Sequence, residues 1–99
     1  MKLPLIWDPL AIEDVTESAA WYTERSQRAS DRFMAALGET LARIEKSPNS
    51  FPAGRKGTRR ALIRKFPYSV VYVESPEGIE IFAVAHGKRR EGYWVERLP

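Results

Sequence analysis

Hydrophobic positions change their period along this chain. Leu3, Leu5 and Trp7 recur at every second residue, which is strand spacing, and Pro4 between them lacks an N–H, so the segment reads as an edge strand. Asp8-Pro9 then reads as an N-cap followed by proline at the first helical position, where a missing donor costs nothing. Ile12, Val15, Ala19 and Tyr22 follow at spacings of three and four, which places them on one face of a helix from about Pro9 to about Arg25. A polar break at Ser26 to Arg28 precedes a second stripe, Phe33, Leu37, Leu41 and Ile44 with Ala36 beside it. That helix ends before Pro48, because proline disfavours a helical predecessor and cannot continue the hydrogen-bond ladder. A short link between two amphipathic helices predicts an antiparallel hairpin.

From Pro48 to Gly57 the chain is rich in breakers and reads as a loop. The period is then two. Ala61 to Arg64 predicts a short strand, Tyr68 to Glu74 a β-branched and aromatic strand, Ser75 to Gly78 a turn, and Ile79 to His86 the returning strand. The expected fold is α+β: an N-terminal edge strand and a helical hairpin packed on one face of an antiparallel sheet of three to four strands, as a single domain over residues 1–99.

Composition narrows the chemistry. A chain of 99 residues with 43% hydrophobic content supports one core. With no cysteine and one histidine, His86, disulfides and thiolate zinc sites are excluded, and neither a metal nor another cofactor is expected. Only a few apolar residues precede Asp8, too few for a secretory leader or a spanning helix, so no membrane association and a cytoplasmic location are expected. The net charge of +3 is unevenly spread: residues 1–54 carry 6 basic and 8 acidic side chains, and residues 55–99 carry 10 and 5. An acidic partner, nucleic acid or protein, would be drawn to the second half. The bland alternative is a solvated basic face.

Several motifs fall in the same order along the chain: Trp7-Asp8-Pro9 with Ala11 and Asp14, Pro48, Arg59-Arg60, Phe66-Pro67-Tyr68 leading into Val71-Tyr72, and Ala83-Val84-Ala85-His86-Gly87-Lys88-Arg89. In these the chain resembles the RelE/ParE toxin superfamily over nearly its whole length. The resemblance implies a growth-inhibiting toxin of a type II toxin–antitoxin system, of the kind associated with plasmid stabilization, held inactive by a cognate antitoxin encoded beside it. Members of the superfamily divide by target: RelE-like members cut ribosome-bound messenger RNA, studied ParE members poison DNA gyrase, and many relatives have no established target.

Candidate chemistry lies in the second half. Arg55, Lys56, Arg59, Arg60, Arg64 and Lys65 form a basic cluster, and on an Ala61 to Arg64 strand Arg60, Leu62 and Arg64 would share one face. RNA cleavage through a 2′-hydroxyl needs a base, cations for the phosphate and an acid. His86 could be base or acid, Arg89 and Arg60 could meet the phosphate, and Tyr93 or Trp94 could stack on a base. Against a nuclease, RelE-like enzymes carry an arginine after the aromatic residue that opens the central strand, and here that position is Ser69. The resemblance is therefore closer to ParE, with Arg60, Arg64, Lys88, Arg89, Arg90 and Trp94 as candidate target contacts. Trp94 has a competing role as a core residue, and Arg97 could close a salt bridge. An attenuated domain that only binds antitoxin is the remaining alternative.

Overall fold

A computed structural model describes residues 3–99. The elements are β1 (Leu5–Trp7), α1 (Pro9–Arg25), α2 (Gln27–Lys46), β2 (Arg59–Leu62), β3 (Tyr68–Ser75) and β4 (Gly78–His86), followed by a tail with a 3-10 turn at Val95–Arg97. Asp8 caps α1 by accepting the Leu10 N–H at 2.8 Å. The link between the helices is a single residue, not Ser26 to Arg28. Extended Ser26 donates its N–H to the Tyr22 carbonyl and accepts the Ala29 N–H on its own Oγ, ending one helix and capping the next.

The inward stripe of α1 is Ala11, Val15, Ser18, Ala19 and Tyr22. Ile12, expected on that face, is 51% exposed. Ala11 and Ser18 take the inner positions because small side chains let the helix lie close to the sheet, and Ser18 spends its hydroxyl on the Asp14 carbonyl. On α2, Phe33, Leu37 and Ile44 are buried as their spacing predicts, with Thr40 bonded back to Ala36.

The sheet order is β1-β4-β3-β2. β2, β3 and β4 form an antiparallel meander, whereas β1 lies parallel to β4 in the register Leu5↔Ile79, so the sheet is mixed. Close approach of β1 depends on Gly78, whose φ is +152° and whose missing Cβ would lie 2.3 Å from the Pro4 carbonyl oxygen; that same oxygen accepts the Ile79 N–H. β2 begins and ends two residues earlier than expected. The Ile63 N–H donates to the Tyr68 carbonyl and closes the reversal there, which stops the strand at Leu62 and leaves Arg64 in the turn.

β4 contains a bulge. Val71 faces Ala83 while Tyr72 faces Ile81, so Phe82 is extra. The inward set on β4 accordingly switches from Ile79 and Ile81 to Val84 and His86. One sheet face joins Tyr68, Val70, Tyr72, Ile79, Ile81 and Val84 to the helical hairpin in the main core. The other face carries a smaller core in which Trp94, from the tail, covers Val71 and Ala83.

Candidate functional site

β1 ends at Trp7, so beyond Ile81 no strand among the described residues lies beside the neighbouring edge of β4. Side chains take the strand's place. Asp14 accepts the Val84 N–H at 3.0 Å, and Arg97 donates to the Phe82 carbonyl at 3.0 Å. The two residues also pair directly, with Nη1–Oδ2 at 2.7 Å and Nη2–Oδ1 at 3.3 Å, and their side chains are only 9% and 12% exposed. Burial works against the Arg97 charge, but the Asp14 hydrogen bonds and negative charge more than offset it and raise its pKa. The pair ties α1, the bulge of β4 and the tail together.

Tyr93 lies against this pair with its hydroxyl 3.5 Å from Asp14 Oδ2. Burial, then the nearby carboxylate, pushes its phenol pKa up. Its ring carries the Arg89 guanidinium at 3.8 Å, which holds that cation at the end of the sheet. His86 stands beside it, edge-on to Tyr68 with ring centroids 4.9 Å apart. Its Nδ1 accepts the Lys88 N–H at 3.0 Å, so the imidazole proton belongs on Nε2 in this arrangement. His86 thus offers a donor to its surroundings, while the lone pair a base would use is engaged.

The structure gathers some of the expected site residues and separates others. Arg60, Ser69, Arg89, Arg90 and Trp94 line a shallow pocket of about 100 Å³ on the tail-covered face. Arg60 meets Glu91 there at 3.5 Å. Arg64 does not share that face: it lies in the β2–β3 turn and reaches Glu39 of α2 at 3.5 Å. Lys88, Arg89 and Arg90 are exposed on the turn after β4. Trp94 is 4% exposed, so its ring serves the smaller core and leaves little for a partner. Arg59 is used locally, donating to the Phe51 carbonyl at 2.7 Å.

Two further surfaces flank α1; the first went unassigned in the sequence, and the second is the apolar flank of the helical hairpin, where the sequence allows an amphipathic partner helix. A cleft of about 420 Å³ between α1 and the ends of β3 and β4 is lined by Glu17, Trp21, Tyr22, Tyr68, His86 and Arg89, among others. An exposed Trp21 within a helix was the one available signal. On the opposite flank of α1, Trp7, Ile12, Val15, Met34, Leu37 and Leu41 line an apolar groove of about 410 Å³. Among the described residues, no group of three or more potential ligands is placed to hold a metal ion, and no helix is long and apolar enough to cross a membrane.

Strand, helical hairpin and meander make up a fold shared with a solved structure, "Chromosomal ParDE TA system from P. aeruginosa". The chain superposes on it with a TM-score of 0.72 at 18% identity, covering 86% of this chain and 96% of that one. It is also 32% identical over 76 residues to Toxin ParE2 of Mycobacterium tuberculosis, in strain CDC 1551 / Oshkosh and strain ATCC 25618 / H37Rv, covering 76% of this chain and 72% of each relative. Residues 5–91 match the family described as "ParE toxin of type II toxin-antitoxin system, parDE". The chain belongs to the ParE toxin family of type II toxin–antitoxin systems.

Proposed function

We propose that this chain is the growth-inhibiting toxin of a two-protein module, that it acts in the cytoplasm by binding a protein target, with DNA gyrase the first candidate, and that a cognate antitoxin neutralises it. The observation that carries the choice of a protein target is the end of the sheet where RNA chemistry would occur. Ser69 stands on the central strand, Arg60 is paired to Glu91, and the His86 Nδ1 lone pair is held by the Lys88 amide. A nuclease needs free cations and a free base converging on one phosphate. What this end of the molecule offers instead is the exposed run Lys88, Arg89 and Arg90, suited to steering toward and contacting an acidic surface.

The apolar groove of Trp7, Ile12, Val15, Met34, Leu37 and Leu41 is the seat assigned to an amphipathic antitoxin helix, and the free edge of β1 the place for an added strand. Purified toxin should inhibit ATP-dependent supercoiling by gyrase and leave a reconstituted translation reaction running. Full supercoiling at saturating toxin would remove gyrase as the target, and cleavage of messenger RNA on the ribosome would replace the binding mechanism with an enzymatic one.

A further inference from the structure

The cleft between α1 and the strand ends has the composition of a binding pocket rather than of a packing defect. Tyr68 is 8% exposed, yet its hydroxyl has no hydrogen-bond partner among the described residues and is not sealed from solvent. A phenol so placed ordinarily finds a partner. Two more donors line the same space: His86, whose Nε2 carries its proton, and Arg89, held over the Tyr93 ring. The aromatic wall on α1 includes Trp21, a ring left 49% exposed with the Arg25 guanidinium stacked on it at 3.4 Å.

Three donor-bearing side chains lining one cleft beside aromatic walls call for a compact acceptor on an apolar stem. A polyanion fits poorly, because Arg89 is the only cation without an ion pair lining the cleft among the described residues and Glu17 lines it too. Asp14 also borders the cleft, but Arg97 neutralises it. The antitoxin seat proposed above lies on the other flank of α1, so this cleft stays open beside it.

We propose that the cleft is an anchor pocket for one carboxylate side chain on an exposed segment of the toxin's protein target, hydrogen-bonded by Tyr68, His86 and Arg89. This rests on the protein-target function proposed above. Glu17 is then an opposing charge that limits affinity, which gives substitutions in one pocket opposite signs.

The test is a set of full-length variants assayed for inhibition of gyrase holoenzyme and for growth arrest on induction, each with a melting temperature as a control for folding. Tyr68→Phe, which removes only the hydroxyl, should raise the half-inhibitory toxin concentration roughly tenfold. Arg89→Ala should raise it more than tenfold, and Glu17→Gln should lower it about threefold. Folded Tyr68→Phe and Arg89→Ala variants as potent as the wild type overturn the pocket while leaving gyrase as the target. Weaker inhibition by Glu17→Gln overturns the carboxylate. If the wild type arrests growth without affecting gyrase, gyrase falls and the same variants decide the pocket through growth arrest. A wild type that does neither overturns both proposals.

Discussion

The two faces of the sheet are built on different principles. The helix-covered face is a continuous apolar core in which Phe33, Ile44, Tyr72 and Ile81 are fully buried and Phe33 packs against Tyr22, Phe66 and Tyr68 within 5.5 Å. Among the described residues, the tail-covered face has a smaller core, with Val71, Ala83 and Trp94 buried and Ala85, Tyr93, Val95 and Leu98 partly buried around them, and its cover is fastened by the Asp14–Arg97 pair. Burial of area holds the first face, and no single contact decides it. On the second, one ion pair also satisfies the open edge of β4, so a local change should release the tail and the cations it positions. The proposed target surface then depends on a few polar contacts, while the scaffold beneath it rests on apolar burial.

The largest expected effect comes from removing one partner of that pair. Asp14→Ala leaves a buried guanidinium and an unpaired Val84 N–H, and should cost about 3–5 kcal/mol in urea unfolding. Hydrogen exchange sharpens the comparison: amides from Trp94 to Arg97 should lose protection well before those of α2. Uniform loss across both faces would show that they are one cooperative unit.

Trp94→Ala should follow, at about 3 kcal/mol, because the ring is buried but the tail can partly collapse onto Val71 and Ala83. Its growth-arrest activity should fall with tail order. A variant that is stable yet inactive would instead make Trp94 a direct contact of the target.

Tyr72 reports on the helix-covered side. Its hydroxyl donates to the Pro48 carbonyl at 2.6 Å, and burial pushes its pKa to about 12, with Arg59 opposing and Glu74 adding to the rise. The unfolded chain ionises near the ordinary value of 10.0, so this contribution to stability is complete below that pH and is lost as pH climbs from there through about 12. Tyr72→Phe should cost about 1 kcal/mol at neutral pH and reduce the alkaline fall, read from unfolding midpoints across that range. The smallest effect belongs to the exposed Arg60–Glu91 pair: Glu91→Gln should change stability by less than about 0.5 kcal/mol.

What the sequence revealed divides along the same line. Helical periodicity and the N-cap located both helices, and β-branched runs located the hairpin, because these features report burial over short separations. Ala11 and Ser18 escaped notice because small and polar side chains add nothing to a hydrophobic stripe, while Ile12 was assigned inward although it borders the open groove. β2 was displaced because its end is set by the Ile63–Tyr68 closure, which placed Arg64 against α2 instead of beside Arg60. The parallel pairing of β1 and the Asp14–Arg97 contact join residues more than 70 positions apart, and no local pattern encodes them. The cleft was invisible for the same reason: its walls come from one helix, two strand ends and the tail.

The most direct test of a protein-binding toxin is a short induction of the chain in a bacterial host, with labelled thymidine and labelled methionine incorporation followed over the first minutes. A target such as gyrase predicts that thymidine incorporation falls first while methionine incorporation continues. Methionine incorporation falling first would contradict it and would make the chain a ribosome-directed nuclease despite Ser69.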